Sequence, residues 1–201
     1  MEILSEDAFY DKVVALVRRP CLPGFPKLEE RLADFDGLTA HDLEGATHLF
    51  CCLGTTMRKA GSKEAFWKVD FDYVTGFARA GRAAGAGFMA MVSSVGADEE
   101  AGSFYLKVKG EAERALETMG FEALHIFQPS ILLGHRDESR PGEEWGKRLA
   151  RAFEWALIGR LTKYRPMPAA TLAAAMAAAG ERGGVGVQVH VYDGILRLAR
   201  G

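Results

Sequence analysis

The chain has 201 residues, of which 48% are hydrophobic and 26% charged, and its formal net charge is −2. These values are ordinary for a globular domain with a buried core, and they argue against a strongly basic nucleic-acid-binding surface. No apolar run reaches the ~18 residues of a membrane span, and no cysteine or histidine cluster has zinc-ligand spacing.

Short apolar runs alternate along the chain with longer amphipathic segments, which is typical of a parallel sheet covered by helices. Most of the runs are continuous rather than alternating, as strands buried on both faces are. The predicted strands are residues 13–17, a weak one near 31–35, then 48–53, 88–92, 124–127 and 185–191. The predicted helices are residues 63–84, 104–119, 143–157, 169–179 and 194–199.

Polar residues and glycine follow the predicted strands, where open α/β sheets bind their ligands. Ser93 and Ser94 come directly after residues 88–92, and either hydroxyl can hydrogen-bond a carbonyl oxygen. Gly54 and Thr55 follow another strand, where glycine lets the backbone approach a ligand closely. Ordinary turns are the structural alternative for both pairs.

Tyr105 and Lys109 form a Y-x-x-x-K pair within the predicted helix 104–119. Residues four apart share one helix face, and a nearby ammonium favours the phenolate form of a tyrosine, whose ordinary pKa near 10 is too high for ready proton exchange. Such a pair can move a proton to or from a carbonyl or alcohol oxygen. Taken alone the pair is a weak signal, and an amphipathic helix with a half-buried tyrosine and a solvated lysine is then the favoured explanation of the spacing.

Arg18 and Arg19 end the first predicted strand. In a dinucleotide-binding fold an acidic residue at this place selects NAD, whereas arginine accommodates the 2′-phosphate of NADP. The alternative interpretation is a pair of solvated basic residues before the turn at Pro20.

Six segments occur in an order and spacing that resemble the atypical short-chain dehydrogenase/reductase superfamily, in the branch related to the Tat-interactive protein 2 oxidoreductase. They cover most of the chain, and RDESRPGE is the most specific of them. The segments are FCCLGTTMRKAGS (50–62), VDFDYV (69–74), SSVGAD (93–98), YLKVKGEAE (105–113), PSILLG (129–134) and RDESRPGE (136–143).

The resemblance implies a Rossmann-like domain that binds NADP(H). It implies catalytic roles for Tyr105 and Lys109, with Ser93 or Ser94 as their partner. The distance along the chain to Tyr105 slightly favours Ser93. One departure is Gln128, which stands where this branch usually has arginine. The cofactor contacts implied are Arg18 and Arg19 at the adenosine phosphate, Leu53, Gly54 and Thr55 at the adenine ribose, and Pro129, Ser130, Ile131 and Leu132 at the nicotinamide.

The beginning of the chain departs further from the family. Such domains open with a strand and G-x-x-G-x-x-G, whose glycines let the backbone meet the pyrophosphate, but MEILSEDAFYDK resembles the end of the first helix. We therefore expect a single domain over residues 1–201: a doubly wound parallel sheet lacking its first strand and glycine-rich loop. Either Met1 is a misplaced start or the chain is truly short. Residues from about 135 to 201 are expected to form the substrate side.

These observations together predict an NADP(H)-dependent oxidoreductase that acts on a carbonyl or alcohol. The alternatives are a non-catalytic NADP(H)-binding regulatory protein and a sugar-nucleotide epimerase-like enzyme. We expect a small-molecule substrate, no nucleic acid or membrane partner, no metal, and a monomer or weak homodimer. Because no signal-peptide pattern is visible, a cytoplasmic location is also expected.

Overall fold

The structure is a computed structural model that describes residues 1–20, 24–133 and 159–201. The strands are β1 (Val13–Val17), β2 (Leu28–Leu32), β3 (His48–Cys51), β4 (Phe88–Val92), β5 (Ala123–Phe127), β6 (Leu132–Leu133), β7 (Met167–Pro168) and β8 (Gly186–His190). The α-helices are α1 (Glu2–Glu6), α2 (Met57–Ala60), α3 (Lys63–Trp67), α4 (Tyr73–Ala83), α5 (Phe104–Glu117), α6 (Ala169–Arg182) and α7 (Tyr192–Ala199). Two 3₁₀ turns, Ala40–Leu43 and Gly159–Tyr164, and a π-helical turn, Lys68–Asp72, complete the described elements.

The centre of the fold is a four-stranded parallel sheet in the order β3-β4-β5-β8. Every residue of β5 is buried, as are the first four of β4, which explains why these strands are continuous apolar runs. Leu49, Met89 and Leu124 lie in the core shared with α4 and α5, whereas Phe88 and Phe127 pack with α6 and α7. The predicted α/β class with a parallel sheet is confirmed.

The first two strands form a separate parallel pair, β1-β2, and in the described ranges no ladder joins them to β3. β2 begins and ends three residues earlier than the predicted 31–35. Asp34 ends it, because its carboxylate accepts a hydrogen bond from the Asp36 N–H at 3.0 Å and its carbonyl one from the Gly37 N–H at 3.2 Å.

The predicted helix 63–84 is interrupted by the π-helical turn between α3 and α4. Ser62 caps α3 by accepting a hydrogen bond from the Ala65 N–H at 3.1 Å. Hydrophobic periodicity does not reveal the turn, which adds one residue to the helix without ending it.

Of the remaining predicted elements, 104–119, 169–179 and 194–199 correspond to α5, α6 and α7, and 185–191 corresponds to β8. The predicted helix 143–157 lies outside the described residues. In the ranges that the structure covers, no helix is both long and apolar enough to cross a bilayer.

Candidate functional site

The site is built at the carboxyl ends of β3, β4 and β5, which meet at one edge because the three strands are parallel. Gly54 and Thr55 follow β3, Ser93 and Ser94 follow β4, and Gln128 follows β5. The Ser93 N–H donates to the Phe127 carbonyl at 2.7 Å, so the ends of β4 and β5 are directly joined.

Helix α5 brings Tyr105 and Lys109 to this edge. The Tyr105 side chain is 36% exposed and its ring packs edge-on against Phe66, with ring centroids 5.7 Å apart. No hydrogen bond from its hydroxyl to another described residue is found. Lys109, one helical turn further on, is buried.

The Lys109 ammonium is paired with a residue to which the sequence analysis gave no role. Its Nζ lies 2.8 Å from Oδ1 of Asp70, whose side chain is fully buried. The other carboxylate oxygen of Asp70 accepts a hydrogen bond from the Thr55 N–H at 2.8 Å. The signal that could have indicated Asp70 is its position in VDFDYV, an acidic residue within an otherwise helical apolar pattern.

The two candidate serines differ in their surroundings. Ser93 is buried and its hydroxyl donates to the carboxylate of Glu113, a second residue missed by sequence reasoning. Gln128 donates through its side-chain amide to both oxygens of Glu113, at 3.0 and 2.9 Å. Ser94 is half-buried, and no hydrogen bond from its side chain is found among the residues described.

Burial raises the pKa of Glu113, although the hydrogen bonds from Ser93 and Gln128 and the charge of Lys109 lower it. Lys109 and Glu113 are four residues apart on α5, like Tyr105 and Lys109. The helix therefore presents Tyr105, Lys109 and Glu113 along one face, with the exposed phenol at one end and the buried carboxyl at the other.

Gly54 allows close packing at the end of β3. A Cβ atom at this position would lie 3.2 Å from Asp70 Oδ1 and 3.5 Å from Lys109 Nζ. The first distance is tighter than ordinary van der Waals contact, so the missing side chain leaves room for the buried ion pair. Leu53, the next candidate, is half-buried against the core.

The segment after β5 lies beside the serines. The Pro129 carbonyl accepts a hydrogen bond from the Val95 N–H at 3.0 Å, and the Ser130 hydroxyl donates to the Tyr164 carbonyl at 2.8 Å. Ile131 is exposed, and Leu132 begins the short strand β6. This segment therefore connects the end of β4 with the turn Gly159–Tyr164.

Arg18 and Arg19 are exposed directly after β1. A cleft of about 370 Å³ lies elsewhere, between the segment from Phe35 to Ala40 and helix α4. Its lining contains none of the candidate residues, which lie instead on α5, after β1 and after β3, β4 and β5.

A parallel sheet covered by helices, with a tyrosine–lysine pair beside its strand ends, is the arrangement of a Rossmann-like short-chain dehydrogenase/reductase. Comparison with known proteins makes the assignment specific. Protein HTATIP2 of Rattus norvegicus is 38% identical over 180 residues, which is 87% of this chain and 72% of the rat protein. The chain therefore belongs to the HTATIP2 family of atypical short-chain dehydrogenases/reductases.

Fungal relatives match over shorter stretches. Protein fmp52, mitochondrial, of Emericella nidulans is 41% identical over 105 residues, covering 52% of this chain and 43% of that protein. Protein FMP52, mitochondrial, of Kluyveromyces lactis is 34% identical over 146 residues, covering 71% of this chain and 65% of that protein. The chain thus spans less than two thirds of the length of these fungal relatives. No family model matches the chain.

Solved structures share the fold at low sequence identity. MoeE5 in complex with UDP-glucose and NAD superposes with a TM-score of 0.64 at 17% identity, covering 90% of this chain and 68% of that one. UDP-N-acetylglucosamine 4-epimerase from Bacillus cereus superposes with a TM-score of 0.60 at 12% sequence identity, covering 93% of this chain and 72% of that one. RMD from Pseudomonas aeruginosa complexed with NADPH superposes with a TM-score of 0.55 at 13% sequence identity, covering 82% of this chain and 68% of that one. These similarities establish the Rossmann-like architecture.

The expected cytoplasmic location is wrong as a general inference, because the fungal relatives are mitochondrial proteins by name. Composition and the lack of a signal-peptide pattern do not determine the compartment. A protein is directed to its compartment by targeting signals that receptors recognise, and the composition of a folded domain does not reveal these signals.

Proposed function

We propose that the chain is an NADP(H)-dependent oxidoreductase that interconverts a carbonyl and an alcohol. The observation that carries the proposal is the arrangement on α5. An exposed Tyr105 lies one turn from the buried Lys109 on α5, and Lys109 Nζ would be 3.5 Å from a Cβ atom at Gly54, after β3. Membership of the HTATIP2 family and the NAD or NADPH bound in MoeE5 and RMD support a nicotinamide dinucleotide as cofactor.

The residues present suit such a cofactor. Gly54 has no side chain over the Asp70–Lys109 ion pair, and the Lys109 ammonium has three N–H donors that a ribose can accept from. We assign the ribose contacts to Lys109 and Leu53–Thr55, the nicotinamide contacts to Pro129–Leu132 and the 2′-phosphate to Arg18 and Arg19. When bound, the cofactor supplies or accepts the hydride.

In the proposed mechanism the protein moves the proton and orients the substrate. Tyr105 donates its phenolic proton to the carbonyl oxygen during reduction, or removes the hydroxyl proton during oxidation. Ser94 donates a hydrogen bond to the same oxygen and stabilises the negative charge that develops there. Lys109 favours the phenolate of Tyr105 after the proton has left.

We place the substrate side in residues from about 135 to 201, as expected from the family. The hydrogen bond from Ser130 to Tyr164 and the pairing of β6 with β7 support this, because they join the nicotinamide segment to the C-terminal part. We further propose a small-molecule substrate and a monomer or weak homodimer. Light scattering of the eluting protein tests the oligomeric state.

The first experiment titrates NADPH and NADH into the protein and follows nucleotide fluorescence. We expect NADPH to bind more tightly, and Arg18→Ala/Arg19→Ala to abolish the preference, because the arginines pair with the 2′-phosphate. Arg200→Ala, at an exposed arginine beyond α7, is the control and keeps the preference. Equal affinities in the unmodified protein would contradict the choice of NADP(H).

The second experiment tests catalysis with Tyr105→Phe, using oxidation of NADPH by a panel of aliphatic and aromatic aldehydes and ketones. We expect turnover to fall by about 10²–10⁴-fold with NADPH affinity retained, because only the proton donor is removed. Binding of NADPH without any turnover in the unmodified protein would favour a non-catalytic regulatory protein.

A further inference from the structure

Asp70 is a fully buried carboxylate with two partners from different parts of the chain. Oδ1 lies 2.8 Å from Lys109 Nζ, and Oδ2 accepts the Thr55 N–H at 2.8 Å. Burying a carboxylate is costly unless it is paired and hydrogen-bonded, and Asp70 has both kinds of partner. The carboxylate therefore connects α5 with the loop that follows β3.

The local backbone explains why this aspartate points inward. Asp70 is the middle residue of the π-helical turn Lys68–Asp72, and such turns often occur at functional sites. Its neighbours on the same turn face solvent: Asp72 is exposed, and Lys68 Nζ pairs with Asp36 Oδ1 at 2.7 Å. Of these acidic side chains, only that of Asp70 reaches Lys109.

We propose that Asp70 is a positioning residue that holds the Lys109 ammonium at a fixed place relative to the backbone of Gly54 and Thr55. This role rests on the proposed function. The ion pair with Asp70 Oδ1 fixes where the Lys109 ammonium lies, and its three N–H donors can then be directed at ribose hydroxyls and toward Tyr105. Gly54 contributes by leaving space, because a Cβ there would lie 3.2 Å from the Asp70 carboxylate.

The kinetic test compares Asp70→Asn with Asp72→Asn, the same chemical change two residues away at an exposed site. Asparagine can still accept the Thr55 N–H but provides no charge for Lys109. We expect Asp70→Asn to lower kcat about tenfold or more per NADPH-binding site, with KM for the carbonyl substrate within about threefold. Asp72→Asn should change neither. Normalising to bound NADPH removes any loss that comes only from misfolded protein.

A second measurement does not depend on turnover. Thermal melts of the unmodified protein, Asp70→Asn, Lys109→Met and the double variant form a double-mutant cycle. We expect Asp70→Asn to lower Tm by leaving a buried ammonium unpaired, and the double variant to melt above Asp70→Asn because that ammonium is gone. Additive losses in the cycle would overturn the coupling between the two residues.

The outcomes separate the two proposals. If the unmodified protein binds NADPH and turns over, and Asp70→Asn does so equally well, the positioning role is wrong and the proposed function stands. If the unmodified protein neither binds NADPH nor turns over, the proposed function is wrong, and the positioning role falls with it even if the melts show a coupled ion pair.

Discussion

The Ser93 hydroxyl donates a hydrogen bond to the carboxylate of Glu113, 20 residues further along the chain, and both side chains are buried. The Ser93 proton is therefore committed to a contact within the protein. Ser94, the next residue, is half-buried, and its hydroxyl makes no hydrogen bond to another residue of the described structure. The distance along the chain to Tyr105 slightly favoured Ser93 as the catalytic serine, whereas this difference favours Ser94 for the proposed role of polarising the substrate carbonyl.

Alanine substitutions at the two serines should have different consequences. We expect Ser94→Ala to lower turnover by about 10²-fold with little change in Tm, because it removes a donor to the reacting oxygen. Ser93→Ala should cost about 1–3 kcal/mol of unfolding free energy, because Glu113 loses a buried hydrogen bond, and should affect turnover less. Urea unfolding and NADPH oxidation measure the two effects. The reverse pattern would identify Ser93 as the catalytic serine.

The Glu113 carboxyl should make stability depend on pH. Because burial raises its pKa above the ordinary 4.5, the folded state binds this proton more tightly than the unfolded state does. Its contribution to stability is therefore lost as pH rises from 4.5 through the raised pKa. Gln128→Arg supplies a cation that stabilises the ionised carboxylate, so we expect less of this loss and a higher unfolding free energy at pH 7, by about 1 kcal/mol. Urea unfolding across this pH range is the measurement.

Glu113→Gln serves as the control because it removes the titrating group altogether. Its unfolding free energy should lack the pH-dependent loss assigned to Glu113. If it keeps the full loss, another group is responsible. If Gln128→Arg lowers stability at pH 7, the guanidinium does not fit beside the carboxylate.

Two helical glycines should respond in opposite ways to alanine. A Cβ at Gly110 would overlap the backbone of Asp98 and Glu99, which cannot move as a flexible side chain can. We expect Gly110→Ala to cost about 3 kcal/mol or more, or to prevent folding. Gly76 on α4 has no atom within 4 Å of such a Cβ, and Gly76→Ala should stabilise the protein by about 0.5–1 kcal/mol. Thermal melts compare the Tm values of the two variants with that of the unmodified protein. A similar decrease in Tm for both variants would contradict the different packing around the two glycines.

The His125–His190 pair should destabilise the fold in acid. Their Nδ1 and Nε2 atoms are 2.9 Å apart, a hydrogen bond that requires one of the two nitrogens to lack a proton. Burial, with the charges of His125 and Arg197, lowers the pKa of His190 to about 4, and burial also lowers the pKa of His125. The unfolded state binds more protons below 6.5, so stability is lost as pH falls from 6.5 toward 4.

His190→Gln removes one titrating ring and keeps a hydrogen-bonding side chain. We expect it to reduce the acid-dependent loss of unfolding free energy by about 1–2 kcal/mol, a value discounted for partial exposure. His41→Gln, at an exposed histidine, is the matched control and should leave the loss unchanged. Urea unfolding at pH 4.5 and 7 checks this. An unaltered acid loss in His190→Gln would rule out the pair as its source.

The sequence alone predicted the strand Phe88–Val92 with its observed bounds and placed Tyr105 and Lys109 on one helix. Both results depend on local patterns, since an apolar run buried on both faces and a four-residue spacing are visible without the rest of the chain. The family resemblance was also carried by the sequence, because its segments keep their order and spacing. The position of β2 was missed by three residues because the turn chemistry of Asp34 outweighs the weak apolar pattern.

What only the tertiary structure decided is which polar side chains meet. Asp70 precedes Lys109 by 39 positions, and Glu113 contacts Ser93 and Gln128 from a different element. No periodicity encodes such pairs, because they depend on how helices and strand ends are packed against one another. The sequence therefore determined the class of fold and the chemical groups of the site. The packing decided which of these groups are paired with one another among the described residues.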